Sequence, residues 1–284
     1  AVGAADRLYT EYRIEAQDIA NSGWDYHEPT SYLTMQFWAK ASVAQTYYVC
    51  VHTFDGTAKM YSFAYTLAAN TWKHITHSIP GHADLTFDDN NDKGMTISFE
   101  IFRGTNYTDS GATNESWRAS DGAAVSLDQT STVWSTNDST WEATGLQLEV
   151  GSTATEFEHR SYDEELRRCQ RYYQRLGAPR TVVGNGGSFF HAYTQGSSNK
   201  YIGTHIFSVQ LRERPSTVEW SGTVAHYGGT SDSDGEIEAT AIGSSDNQHG
   251  SARIHLTVSS IGGGKGGLIM SKSNSAYFAW SAEI

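Results

Sequence analysis

The chain has 284 residues, 38% of them hydrophobic and 18% charged, a globular balance that excludes a disordered chain. Its formal net charge is −12, and the excess of acid sits in residues 1–160, with 9 Lys/Arg against 21 Asp/Glu; that balance argues against nucleic acid and anionic membrane as partners. No apolar run approaches the ~18 residues needed to span a bilayer, so no membrane insertion is expected, and no sustained heptad or Gly-x-y run allows a coiled coil or collagen stalk.

The predicted elements begin with strands. In "YLTMQFWAK", Leu33, Met35, Phe37 and Ala39 share one face; in "TYYVCVHTF", Tyr47, Val49 and Val51 do. "YSFAYTL" aligns Tyr61, Phe63, Tyr65 and Leu67, and "GMTISFEIF" aligns Met95, Ile97, Phe99 and Ile101. "TGLQLEV" sets Leu146, Leu148 and Val150 against Gln147 and Glu149. Period-two alternation bounded by Gly, Asn and Asp marks half-buried strands, and sheets with one apolar face pack against each other. The spacing suits a jelly-roll β-sandwich. Between Arg103 and Trp141 lies a long polar stretch with three Trp, a length that is usually functional or loose.

One helix follows, predicted over 161–177. Ser161 is an N-cap with Glu164 three residues on, a capping box. Asp163, Glu164 and Glu165 open it and Arg167, Arg168, Arg171 and Arg175 follow, which suits the helix dipole. Leu166, Cys169, Tyr173 and Leu176 form its apolar face, a candidate surface for domain or subunit packing. Gly177 and Pro179 stop it. Strands then return: His205, Phe207, Val209 and Leu211 share a face, as do Ala252, Ile254, Leu256 and Val258, and Phe278 with Trp280. The expected fold class is all-β: a jelly roll over 1–160, a connecting helix over 161–177 and a smaller C-terminal β domain over 178–284. Cys50 and Cys169 are both expected as buried thiols, since two cysteines make no disulfide framework. The abrupt start in a strand pattern suggests a piece of a longer chain.

The segment "QLEVGSTATEFEHRSYDEELRRCQRYYQ" resembles a junction of bacteriophage tail-fibre and receptor-binding proteins, where a carbohydrate-binding-module-like jelly roll ends. "YRIEAQDIA", "LTMQFWAKAS", "AANTWKHITHSIPG" and "GLQLEVG" are similar to strand motifs of that module, and "SNSAYFAWSAEI" to the last strand of the small domain that follows. The resemblance implies a virion fibre protein, homotrimeric, associated with other virion proteins and contacting a host-surface glycan. A structural head-decoration fibre is the non-receptor alternative.

The chemistry of the residues is consistent with binding rather than turnover. There is no G-x-S-x-G elbow and no H-E-x-x-H, so no enzyme is expected; a virion-borne polysaccharide depolymerase is the enzymatic alternative. His74 and His77 in "HITH" face opposite sides of a strand and do not share a metal. Asp88, Asn90 and Asp92 occupy the first positions of a calcium-loop pattern without its glycine and glutamate, so calcium is a candidate and an Asx-rich turn the competing reading; Asp232 to Glu236 is a weaker one. Exposed aromatics beside Asn, Asp and Gln suit sugars, which offer C–H faces and hydroxyls. The glycan candidates are Trp24, Tyr26, Tyr107 and Trp117 in the first domain. In the second they are Tyr193, Tyr201, His226, Tyr227 and His249, and the resemblance favours this group. Trp72 and Trp280 are expected in the cores.

Overall fold

The computed structural model describes residues 2–177, 188–194, 200–227, 237–258, 266–271 and 276–283. The side chains of Ser188, His226, Tyr227, Ile237 and Glu238 lie outside the described residues. The chain divides into two compact units, the first running to His159 and the second from Arg160 to Glu283. Both are all-β sandwiches with few helical turns. Among the described residues no helix is long and apolar enough to cross a membrane.

In the first unit the elements are β1 (Arg7–Glu15), α1 (Ala16–Ala20), β2 (Tyr32–Ala41), β3 (Gln45–Thr53), β4 (Lys59–Leu67) and β5 (Lys73–Pro80). They continue with β6 (Lys93–Arg103), β7 (Arg118–Ala119), α2 (Thr132–Ser135) and β8 (Trp141–Val150). One antiparallel sheet has the order β1-β6-β3-β4-β7 and the other β5-β2-β8. The alternating residues named from the sequence meet between them: Met35, Phe37, Tyr47, Val49, Phe63, Leu67, Met95 and Ile97 are all buried in one core. Phe37 stands edge-on to Tyr65 and Phe99, with ring centroids 5.3 and 5.0 Å away, the offset geometry that aromatic quadrupoles favour.

The larger sheet is not half-buried, as alternation predicts. Every residue of β6 from Gly94 to Arg103 is buried, and so are Tyr48, Cys50, Met60 and Ser62 on the face turned from the core. The polar stretch after Arg103 lies across that face. Arg118 Nη2 donates to Ser62 Oγ and to the carbonyls of Ala124 and Val125, and Cys50, Met60 and Val125 make a small second core. Glu100, fully buried on this face, accepts from Ser98 Oγ at 2.6 Å and Arg103 Nη2 at 3.0 Å, and forms a second bond with Arg103 Nε.

β8 also departs from simple alternation. Gln36 pairs with Gln147 and Trp38 with Thr144, so Phe37 faces two residues, Gly145 and Leu146. Gly145 has φ 63°; a left-handed glycine opening a two-against-one step is a G1 bulge. Because of it Trp141, before the step, and Leu148, after it, both pack on the core; Leu146 within the step and Val150 at the strand's end are exposed. Gln147 and Glu149 hold the exit of the unit. Glu149 accepts from the Thr155 amide (2.9 Å) and hydroxyl (2.7 Å), Gln147 Oε1 accepts from the Glu158 amide, and Gln36 Nε2 donates to Thr155 O. Burial pushes the Glu149 carboxyl up, but the Thr155 and Gln147 donors outweigh it and hold the group below its usual range. Its contribution to stability is therefore complete above the unfolded carboxylate pKa and is lost as pH falls through the lowered folded value. Glu149→Ala is expected to cost about 1 kcal/mol locally and to speed proteolytic cleavage within 152–158 at pH 7. Unchanged cleavage would show that the clamp does not hold this segment.

In the second unit come α3 (Tyr162–Gln170), β9 (Tyr173–Gly177), β10 (Ser188–Thr194), β11 (Lys200–Ile206) and β12 (Glu219–Ser221). After them come β13 (Val224–Tyr227), β14 (Ile237–Glu238), β15 (Ala241–Gln248), β16 (Ser251–Thr257), β17 (Gly266–Ser271) and β18 (Tyr277–Ser281). The larger sheet has the order β14-β13-β17-β10-β11-β16-β15 and the smaller β12-β18-β9. Tyr201, Ile254, Leu256, Phe278 and Trp280 meet in this unit's core.

The helix is shorter than the sequence predicts. Ser161 caps it, accepting from the Glu164 amide at 3.3 Å, and Glu164 pairs with Arg168. It ends at Gln170, and Tyr173–Gly177 pairs instead with β18, Tyr173 opposite Ser281 and Leu176 opposite Phe278. Tertiary pairing overrides a modest helical preference in a segment rich in Tyr. The expected apolar face is thereby divided. Leu166, Cys169 and Tyr173 are exposed, while Leu176 packs against its own unit's core. Cys169 is thus an exposed thiol, not a buried one, and Cys50 is buried; both are free. Strand β11 likewise ends at Ile206, though Phe207 and Leu211 still enter the core.

Candidate binding surfaces

On the face of β10-β11-β16-β15 turned from the core, Tyr193 pairs with Ile202, Ile202 with His255 and His255 with Gly243. Paired residues of an antiparallel ladder project to the same side. Tyr193 is 56% exposed, whereas its ladder partner Ile202 is buried. Beside it, Thr204 pairs with Arg253 and Arg253 with Ser245. Ser245 Oγ lies 2.6 Å from His255 Nε2, and Arg253 Nη1 donates to Asp246 at 2.8 Å. Burial, followed by the nearby Arg253 and Lys200, lowers the His255 pKa, so the imidazole is neutral at pH 7. A neutral imidazole, a hydroxyl and a phenol beside an ion pair can exchange hydrogen bonds with a polyhydroxylated ligand.

The glycan candidates read from the sequence do not gather in one place. Tyr193 and His249 are exposed, and His249 Nδ1 lies 3.1 Å from Leu211 O. Tyr201 is a core residue, since its neighbour across the ladder is Leu256. His226 and Tyr227 lie in β13 with side chains outside the described residues. In the first unit Trp24 and Trp117 are buried, contrary to the expectation of exposure; Trp24 packs beside Tyr26 and Phe87, and Trp117 donates from Nε1 to Pro80 O at 2.7 Å. Tyr26 is half-buried against the same core. Tyr107 is half-buried near the Arg7 and Arg103 guanidinium groups, 5.2 and 5.8 Å from its ring centre. Trp280 is in the core as expected, but Trp72 is 42% exposed.

The metal candidate Asp88, Asn90 and Asp92 lies beside an Asx turn. Asn90 Oδ1 accepts the Asp92 amide at 2.9 Å, an Asx turn, and the carbonyls of Asn90 and Asp92 accept the amides of Gln17 and Ala16. Among the described residues no three His, Cys, Asp or Glu side chains are placed to hold a metal ion. Asp232 to Glu236 lies outside the described residues.

Sequence reading missed an aromatic cluster on the outer face of β5-β2-β8. Trp38 is 44% exposed and stacks on His74, centroids 4.9 Å apart at 21°. One step along β2, Lys40 bonds Glu142 of β8 at 2.9 Å, and its ammonium lies 5.2 Å from the Trp72 ring centre. Phe157, also exposed, closes one side: a Cβ on Gly145 would lie 3.5 Å from Trp38 and 3.9 Å from Phe157. The signal was available, because a tryptophan directly after the core residue Phe37 must face outward in a strand.

Among protein families, no family model matches the chain, and no curated protein matches it either. A solved structure of oxalate decarboxylase from Bacillus subtilis at pH 4.6 aligns over 98% of this chain and 72% of its own, at 11% identity and a TM-score of 0.12, a likeness that carries no argument about fold or function.

Proposed function

We propose that the protein is a non-enzymatic bacteriophage virion fibre protein that recognises the host cell surface by binding a glycan, as a homotrimer. The open Tyr193 ring on the second unit's outer face, with His255, Ser245 and Arg253 beside it, is the observation that carries this reading. A ring for C–H faces next to mixed donors and acceptors is the combination a sugar requires. The "QLEVGS" to "CQRYY" resemblance supplies the virion context. The trimer draws support from α3, none of whose residues is buried, with Tyr162 77% and Leu166 39% exposed; such apolar side chains suit a neighbouring copy.

The test is binding of purified, sedimentation-sized protein to isolated host-cell surface polysaccharide. Tyr193→Ala is expected to weaken binding about tenfold, the order expected for one stacked ring, with the oligomer unchanged. Wild-type affinity in this variant, or a monomer in the wild type, would sink the corresponding half of the proposal.

A further inference from the structure

The outer face of β5-β2-β8 is divided by the chain itself. At one end Thr34, Gln36, Ser78, Gln147 and Glu149 bond to residues 151–158, which seal it. At the other end the face stays open, and there it presents two indoles. We propose that this open half is a second binding site, for a neutral pyranose oligosaccharide that rests on Trp38 and Trp72 and hydrogen-bonds to Lys40 and Glu142.

Four observations lead there. The rings are held in place before any ligand arrives: Trp38 by its stack on His74 and Trp72 by the Lys40 ammonium near its ring. Fixing them beforehand removes part of the ordering cost of binding. The bulge at Gly145 leaves no Cβ against Trp38, and Phe157 borders the site on the side where the sealing segment ends. Trp38 and Lys40 stand two residues apart on one strand face, ~7 Å, so the apolar and polar contacts alternate along the face as they do along a sugar chain. Finally, Lys40 and Glu142 neutralise each other at 2.9 Å, which supplies donors and acceptors without net charge and selects an uncharged ligand. The same pair disfavours a second copy of the chain as occupant, because the centre of a protein interface is depleted of Lys and Glu.

The site lies in a different unit from Tyr193 and does not rest on that reading. Full-length protein is titrated calorimetrically with cello-, manno-, galacto- and xylo-oligosaccharides. At least one is expected to bind. Trp38→Ala and Trp72→Ala are each expected to weaken it about fivefold or more, the double variant to abolish it, and Tyr193→Ala to leave it unchanged. Both rings are exposed, so thermal unfolding should match the wild type, and this separates lost contact from lost fold. Failure of every oligosaccharide to bind, or wild-type affinity in the double variant, overturns the proposal. So does a double variant that changes the sedimentation coefficient while sugar affinity stays intact, since that assigns the rings to contacts between copies.

Discussion

Trp280→Ala is expected to unfold the second unit while the first remains native. Trp280 has no exposed surface and is the largest such side chain among the described residues. His205 stacks on it at 4.8 Å and 8°, and Phe207 meets it at 5.2 Å and 73°. Truncating a buried Trp costs about 3–5 kcal/mol, much of the roughly 5–15 kcal/mol that stabilises a domain. Among the described residues its buried indole Nε1 has no hydrogen-bond partner, so Trp280→Phe, which removes that donor, should cost far less. Hydrogen exchange resolved by peptide would show 188–194 and 251–257 losing protection while 33–39 and 95–101 keep theirs. Loss of protection in both sets would mean that the two units fold as one.

Arg103→Met should destabilise the first unit by about 3–5 kcal/mol, because it strands a buried carboxylate. Glu100 is fully buried, and its two oxygens are served by Arg103 and Ser98. The guanidinium also lies 4.1 Å from the Tyr9 ring centre, so it joins β6 to β1 as well as neutralising the acid. The double variant Arg103→Met, Glu100→Met should recover most of the loss, since no buried charge is left. Denaturant unfolding followed by near-ultraviolet dichroism reads both. If the double variant is no more stable than the single one, packing around Arg103 matters more than its charge.

Much of the fold was legible because period-two alternation depends on a local rule. Phe37, Phe63 and Ile97 fell where their spacing put them. What escaped notice depended on partners distant in sequence. The far face of β6 alternates like a solvated one but is covered by the stretch after Arg103, and "CQRYYQRL" has a helical pattern that pairing with β18 overrides. The candidate surfaces suffered most. Trp24 and Trp117 sit in polar stretches yet turn inward, while Trp38 and Trp72 sit in or beside strands and turn outward. Composition near an aromatic residue says little about its direction; strand parity says more, and for Trp38 it was sufficient.

The clamp at Gln147 and Glu149 also has a mechanical meaning. A pull transmitted along the chain from residue 160 meets the bonds of Thr155 and Glu158 to β8 and of Thr155 to β2 before it reaches the end of β8 at Val150. Tension is then shared between two neighbouring strands of one sheet instead of peeling its edge strand away. Were the chain held at one end and pulled at the other, this junction would act as strain relief, much as a cable is tied down just before its plug.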